Sequence, residues 1–173
     1  MTADRQDPPA SASTGLVATA ADWLDVHFEA SRPEYEAQVR AAGFQPGWRV
    51  LDAGCGSGAF LPWLADIVSP GGAITAIDLA PENVAAVERR LAGWGLACPV
   101  EVRDAGLTAL PYPDDAFDGV WCANVAQYFG DDECRAPLAE FRRVVRPGWA
   151  ANLTMSFRQR DPRGSPSPRP TGS

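Results

Sequence analysis

Val50-Leu51-Asp52-Ala53-Gly54-Cys55-Gly56-Ser57-Gly58 is an apolar run that ends in a carboxylate and passes at once into a loop with glycine at alternate positions. Glycine adopts positive φ without penalty and leaves no Cβ between a ligand and the main-chain N–H groups. Such a density of glycine therefore reads as a backbone shaped to receive a small molecule. Ala59-Phe60 opens a helical pattern with Phe60, Leu64 and Ile67 on one face. The loop turns a strand into a helix whose N-terminal N–H groups favour an anionic group above the strand.

The glycines alone leave the ligand open. Gly54-x-Gly56-x-x-Ala59 also satisfies the permissive dinucleotide fingerprint, in which the third small residue is alanine. A plain strand-to-helix turn with a capping Asp is the simplest alternative. Asp52 favours a zwitterionic ligand, because a carboxylate before the loop repels a pyrophosphate and attracts an ammonium group. Ala73-Ile74-Thr75-Ala76-Ile77-Asp78 is a second apolar run with a terminal carboxylate, and Pro81-Glu82-Asn83 starts the next helix. Asp78 at that tip suits the two hydroxyls of a ribose, for either ligand class. Val100-Glu101-Val102-Arg103-Asp104-Ala105 is a third strand, whose Asp104 could accept from an exocyclic amine.

Taken together, Asp52-Ala-Gly54-Cys-Gly56-Ser-Gly58, Asp78-Leu79 and Arg103-Asp104-Ala105 resemble a class I S-adenosylmethionine-dependent methyltransferase of small-molecule type. Phe117-Asp118-Gly119-Val120-Trp121-Cys122-Ala123-Asn124 is similar to that family's fourth strand, and Phe141 to Gly148 to its fourth-helix ending. The resemblance spans about residues 34–148. It implies that Asp52 and the loop Gly54, Cys55, Gly56 and Gly58 hold the methionine end of S-adenosyl-L-methionine. It places Asp78 on the ribose hydroxyls, Leu79 beside the adenine, and Asp104 with Ala105 at the adenine edge.

The βα alternation with short joints implies an α/β fold: a Rossmann-like, doubly wound, mostly parallel sheet with helices on both faces and ligands at the carboxyl tips of its strands. The next helix carries Val84, Val87, Leu91 and Trp94 on one stripe and ends around Gly93 to Gly95. Leu107 to Asp115 reads as a loop, with Asp114 and Asp115 as solvated turn residues.

Residues 1–18 read as a disordered arm, 19–157 as the S-adenosylmethionine-binding domain, and 158–173 as a disordered Arg/Pro/Ser tail. Within the domain, residues 19–43 form N-terminal helices broken near Ser31-Arg32-Pro33; the resemblance implies either a lid over cofactor and acceptor, as such helices often form, or a plain cover for one sheet face. After Arg146-Pro147-Gly148 the family continues with a second glycine, a fifth strand, a helix and an antiparallel hairpin. Here Trp149 follows, then a poor strand and the tail, so the chain reads as truncated or frame-shifted, without the usual C-terminal helix and hairpin. Either way a sheet edge is left exposed, and the rival reading is a natural short form that self-associates or recruits a partner across it.

Composition fits a cytoplasmic protein with one core: 173 residues, 46% hydrophobic, with a polar start and no apolar run of membrane-spanning length. The net charge of −7 argues against a nucleic-acid partner. All 15 cationic residues are arginine, which removes a Walker-type phosphate loop and Schiff-base chemistry. Cys55, Cys98, Cys122 and Cys134 are too scattered for a zinc site.

The expected activity is methyl transfer to a small-molecule acceptor by in-line displacement, which asks the protein chiefly for orientation. His27, the only histidine, is a candidate base, or a packing residue opposite Trp23. Asn124, Gln127 and Tyr128 are acceptor-side candidates, or an ordinary helix start. Two alternatives stay open: a non-catalytic S-adenosylmethionine-binding remnant, and a dinucleotide-dependent oxidoreductase, which would lack a Tyr-x-x-x-Lys pair because lysine is absent.

Overall fold

The computed structural model describes residues 21–125 and 133–147, apart from the side chains of residues 21–23 and 27. Helices α1 (Ala21–Ala30) and α2 (Arg32–Ala41) precede β1 (Arg49–Ala53), α3 (Leu61–Val68), β2 (Ala73–Asp78), α4 (Pro81–Trp94), β3 (Val100–Asp104), β4 (Gly119–Trp121) and α5 (Arg135–Val144). The break between α1 and α2 falls at Ser31, with Pro33 in the first turn of α2, where its missing N–H costs nothing. Gly95 takes the left-handed conformation that stops α4.

All four strands are parallel in the order β3-β2-β1-β4, as expected for a doubly wound sheet. Alternation along each strand divides the core in two. On one face Val50, Ile74, Ala76 and Trp121 pack with Phe28, Tyr35, Val39, Leu61, Leu64 and Val87 of α1 to α4. On the other, Leu51, Ala53, Ile77 and Val120 pack with Phe141 and Val144 of α5. The chain therefore has helices on both faces of the sheet.

The helical reading of α3 holds: Phe60, its N-cap with φ −83 and ψ −19, accepts the Leu64 N–H at 3.0 Å, and Phe60, Leu64 and half-buried Ile67 pack in one cluster with Leu61, Ala65 and Val68. One local reading needs correction. The fourth strand is shorter than the apolar run Phe117 to Asn124. The N–H of Phe117 donates to Val144 O at 2.9 Å and its carbonyl accepts the Arg146 N–H at 3.0 Å. That pairing, with a parallel bridge from Phe117 to Val145, starts a further strand position beside β4. At the other end Asn124 turns to φ +61, which leaves the strand. The N-terminal arm, the supposed break at Trp149 and the tail lie outside the described residues.

Asp114 and Asp115 are exposed turn residues, as expected, and they also tether the loop. Arg143 pairs with Asp114 at 2.9 Å, and the Asp115 N–H donates to Arg143 O at 3.1 Å, which fastens the β3–β4 connection to α5.

Candidate functional site

The site is built where the sheet stops. Register places Asp52 opposite Ala76 and Asp78 opposite Asp104. With side chains alternating at period two, all three carboxylates project from the same face, that of α1 to α4. They differ in depth: Asp52 lies two residues below the tip of β2 and is 1% exposed, Asp78 is half-buried, and Asp104 is exposed.

Among the described residues, five have a buried side-chain polar atom without a hydrogen-bond partner, and Asp52 is the one carboxyl among them. Its Oδ2 is buried without a hydrogen-bond partner. Burial first, and then the charge of Asp78, push its carboxyl up to about 8, so the side chain holds a proton at neutral pH. Buried polar atoms are almost always satisfied, so an orphan here needs a reason. Cys55 beside it stays a neutral thiol because burial, Asp52 and Asp78 all raise its pKa. Burial pushes Cys122, one strand over, up to about 12.

Both oxygens of Asp78 are engaged. Its Oδ2 accepts the Gly56 N–H at 2.8 Å, while Oδ1 accepts the Ala80 N–H at 2.9 Å and Asn83 Nδ2 at 3.2 Å. Four of the loop N–H groups, those of Gly54, Cys55, Gly56 and Gly58, are committed inside the protein. Gly54 and Cys55 donate to Ile77 O at 2.8 and 2.9 Å, and Gly58 to Cys55 O at 2.8 Å. The glycines serve shape instead. Gly54 has φ +80 with Val125 where a Cβ would stand, and Gly56 has φ +54 with Leu24 Cδ1 2.8 Å from that position. Val87, Leu61 and Trp94 surround Gly58.

Leu79 is 75% exposed beside Gly106, and the Ala105 N–H donates to Asp78 O at 3.0 Å. The tips of β2 and β3 therefore offer an apolar surface flanked by Asp104. Asn124 Nδ2 donates to the Tyr35 hydroxyl at 2.6 Å, so α2 holds the residue that leaves β4. Tyr35 stacks on Phe28 and meets Phe60 edge-on. Gln127, Tyr128 and the side chain of His27 lie outside the described residues.

Leu24, Tyr35, Asn83, Arg90 and Val125 escape a reading of the sequence. All but Asn83, which bonds Asp78 five residues before it, act through a contact distant along the chain. Among the described residues no cluster of His, Cys, Asp or Glu could hold a metal ion, and no helix is long and apolar enough to cross a membrane.

Residues 50–148 match the family model described as a methyltransferase domain. A ubiquinone/menaquinone biosynthesis C-methyltransferase of Cupriavidus taiwanensis is 34% identical over 110 residues, 64% of this chain and 44% of that protein. Nocamycin O-methyltransferase of Saccharothrix syringae is 36% identical over 110 residues, 64% of this chain and 38% of that protein. The solved structure of a SAM-dependent methyltransferase from Aquifex aeolicus matches with a TM-score of 0.57 at 30% identity, over 65% of this chain and 58% of that one. The chain spans 33% to 50% of the length of the first curated relatives it matches.

Proposed function

The chain belongs to the methyltransferase-domain family, and from that premise we propose that its strand tips and glycine loop hold S-adenosylmethionine for methyl transfer to a small-molecule acceptor. The orphan carboxylate of Asp52 carries this reading. A buried carboxylate without a partner is costly, and among the described residues no hydrogen-bond donor reaches it. A cationic ligand supplies what is missing. A pyrophosphate would meet the charge of Asp78 and, unlike a cation, would oppose ionisation of Asp52, which disfavours a dinucleotide.

The residues present fit the cofactor. Asp52 would answer the ammonium of the methionine end, beside the loop residues Gly54, Cys55, Gly56 and Gly58. Asp78 would accept from the ribose through Oδ2, which has one donor at present, whereas Oδ1 already has two. Leu79 would lie against the adenine, with Asp104 and Ala105 at its edge. When bound, S-adenosylmethionine supplies an activated methyl on a sulfonium, ready for in-line displacement by an acceptor.

What the protein adds is orientation and cover. Leu24 and Val125 close over the loop with apolar surface that keeps water away. Asn124, fixed by Tyr35, would stand where the acceptor approaches, with Tyr128 as a further acceptor-side candidate and His27 as the candidate base. The net charge of −7 and the C- and O-methyltransferase names of the two relatives support a small molecule over a nucleic acid.

A labelled-methyl transfer screen tests the activity. Label passing from S-adenosylmethionine to a small carbon or oxygen acceptor supports it. Tight binding with no transfer to any acceptor class would instead mark a binding remnant.

A further inference from the structure

Arg90 lies on the inner stripe of α4, which runs Asn83, Val87, Arg90 and Trp94 along the glycine loop. Its Nη1 donates to Ser57 O at 3.0 Å and to Asp25 Oδ1 at 3.1 Å, and its Nη2 donates to Asp25 Oδ2 at 2.6 Å. One guanidinium thus joins three segments distant in sequence: α1, the glycine loop and α4. The adjacent Leu24 is the residue of α1 that lies on Gly56. So α1 touches the loop at one position and is fastened to it, through Arg90, at the next.

A planar fork suits this junction because it holds a carboxylate through two N–H groups and still has a donor for a carbonyl. A lysine could not keep all three bonds. The side chains of Arg90 and Asp25 remain 29% and 36% exposed, and both line a groove of about 330 Å³ with Phe28, Trp63 and Trp94. Dissolved ions therefore reach the pair and weaken it, as they would not weaken a buried apolar contact.

We propose that Arg90 is a positioning residue that clamps α1 over the glycine loop and so sets how long the adenosyl ligand stays bound. The inference rests on the reading of this loop as the S-adenosylmethionine site. Arg90 reaches the ligand only through Ser57 and α1. Its removal therefore acts on residence time before it acts on the chemical step.

Stopped-flow release of S-adenosylhomocysteine from the full chain tests this, with Arg90→Gln, Arg90→Lys and Asp25→Asn beside the unaltered protein. Release is expected to quicken roughly three- to tenfold in Arg90→Gln and Asp25→Asn at low salt, with Arg90→Lys in between. Added salt should speed release from the unaltered protein and leave Arg90→Gln nearly unchanged, which a merely structural brace would not produce. Equal rates with equal salt dependence would overturn the proposal. Should Arg90→Gln fail to fold, Asp25→Asn decides, because it alters only a half-exposed side chain of α1 and leaves Arg90 on Ser57.

Hydrogen exchange on the ligand-free proteins separates the clamp from the site reading. Faster exchange along α1 in the variants supports the clamp; unchanged exchange overturns it. Failure of the unaltered protein to bind S-adenosylhomocysteine would remove the ligand reading while the exchange result still stands.

Discussion

The Asp78 carboxylate accepts the Gly56 N–H at 2.8 Å, so the tip of β2 is stitched to the loop that follows its neighbour β1. This bond couples two roles in one side chain. The residue expected to hold a ribose also sets the shape of the loop beside it.

Replacing Asp78 with Ala should therefore weaken cofactor binding by about 1.5–3 kcal/mol, the range for hydrogen bonds to a charged group. It should also speed hydrogen exchange at Gly56. Calorimetry and amide exchange measure the two effects, and unchanged affinity would remove Asp78 from the site.

Gly56→Val places a β-branched side chain at φ +54, directly against Leu24. The strain should cost on the order of 1–3 kcal/mol of stability and abolish binding, because α1 can no longer seat on the loop. Denaturant unfolding and ligand titration read both. Normal binding by this variant would show that the loop does not touch the ligand.

Asp52 predicts a pH dependence with a definite sign. Its carboxyl is raised from an ordinary value near 3.8 to about 8 in the fold. At low pH both folded and unfolded chains carry the proton, and the contribution to stability is complete. Between about pH 4 and 8 only the fold keeps it, so stability falls by up to about 1.4 kcal/mol per pH unit, and the loss levels off above the folded value. Thermal melting of ligand-free Asp52→Asn should lack this component. A cationic ligand favours the ionised form, so its binding at neutral pH should release a proton, measurable as a buffer-dependent heat.

Arg143 organises the connection leading into β4. It donates to Leu110 O at 3.1 Å, Tyr112 O at 2.8 Å, Asp114 Oδ1 at 2.9 Å and Glu140 Oε2 at 2.7 Å. The guanidinium, with help from the Leu110 N–H, lowers the Glu140 carboxyl to about 2. That contribution is present above the ordinary range near 4.5 and is lost as pH falls through about 2. Arg143→Ala should lower the denaturant midpoint and expose residues 107–115 to proteolysis, and an unchanged cleavage pattern would remove this role.

The elements that carry their own punctuation could be read from the chain. The apolar run closing on Asp78 is β2 to the residue, and Gly95 ends α4 as a left-handed cap. The three aspartates reach one face because parallel pairing and period-two alternation leave no other arrangement. Depth was not legible: only register shows that Asp52 lies two residues below the tip of β2 and is sealed from water. Nor could spacing reveal that Ile77 O, Cys55 O and Asp78 consume four of the loop N–H groups. Arg90 and Asp25 are 65 residues apart, and Arg89-Arg90 on an amphipathic helix reads as solvated charge. The shortening of β4 depends on where α5 returns the chain beside Phe117, a tertiary contact that no local pattern encodes.

Isothermal titration of the full chain with S-adenosylmethionine, and separately with NADH, tests the central claim that these strand tips hold an adenosyl cation. The account predicts saturable one-site binding of S-adenosylmethionine and no heat with NADH. Binding of NADH in preference, or no binding of S-adenosylmethionine by the folded protein, would contradict it.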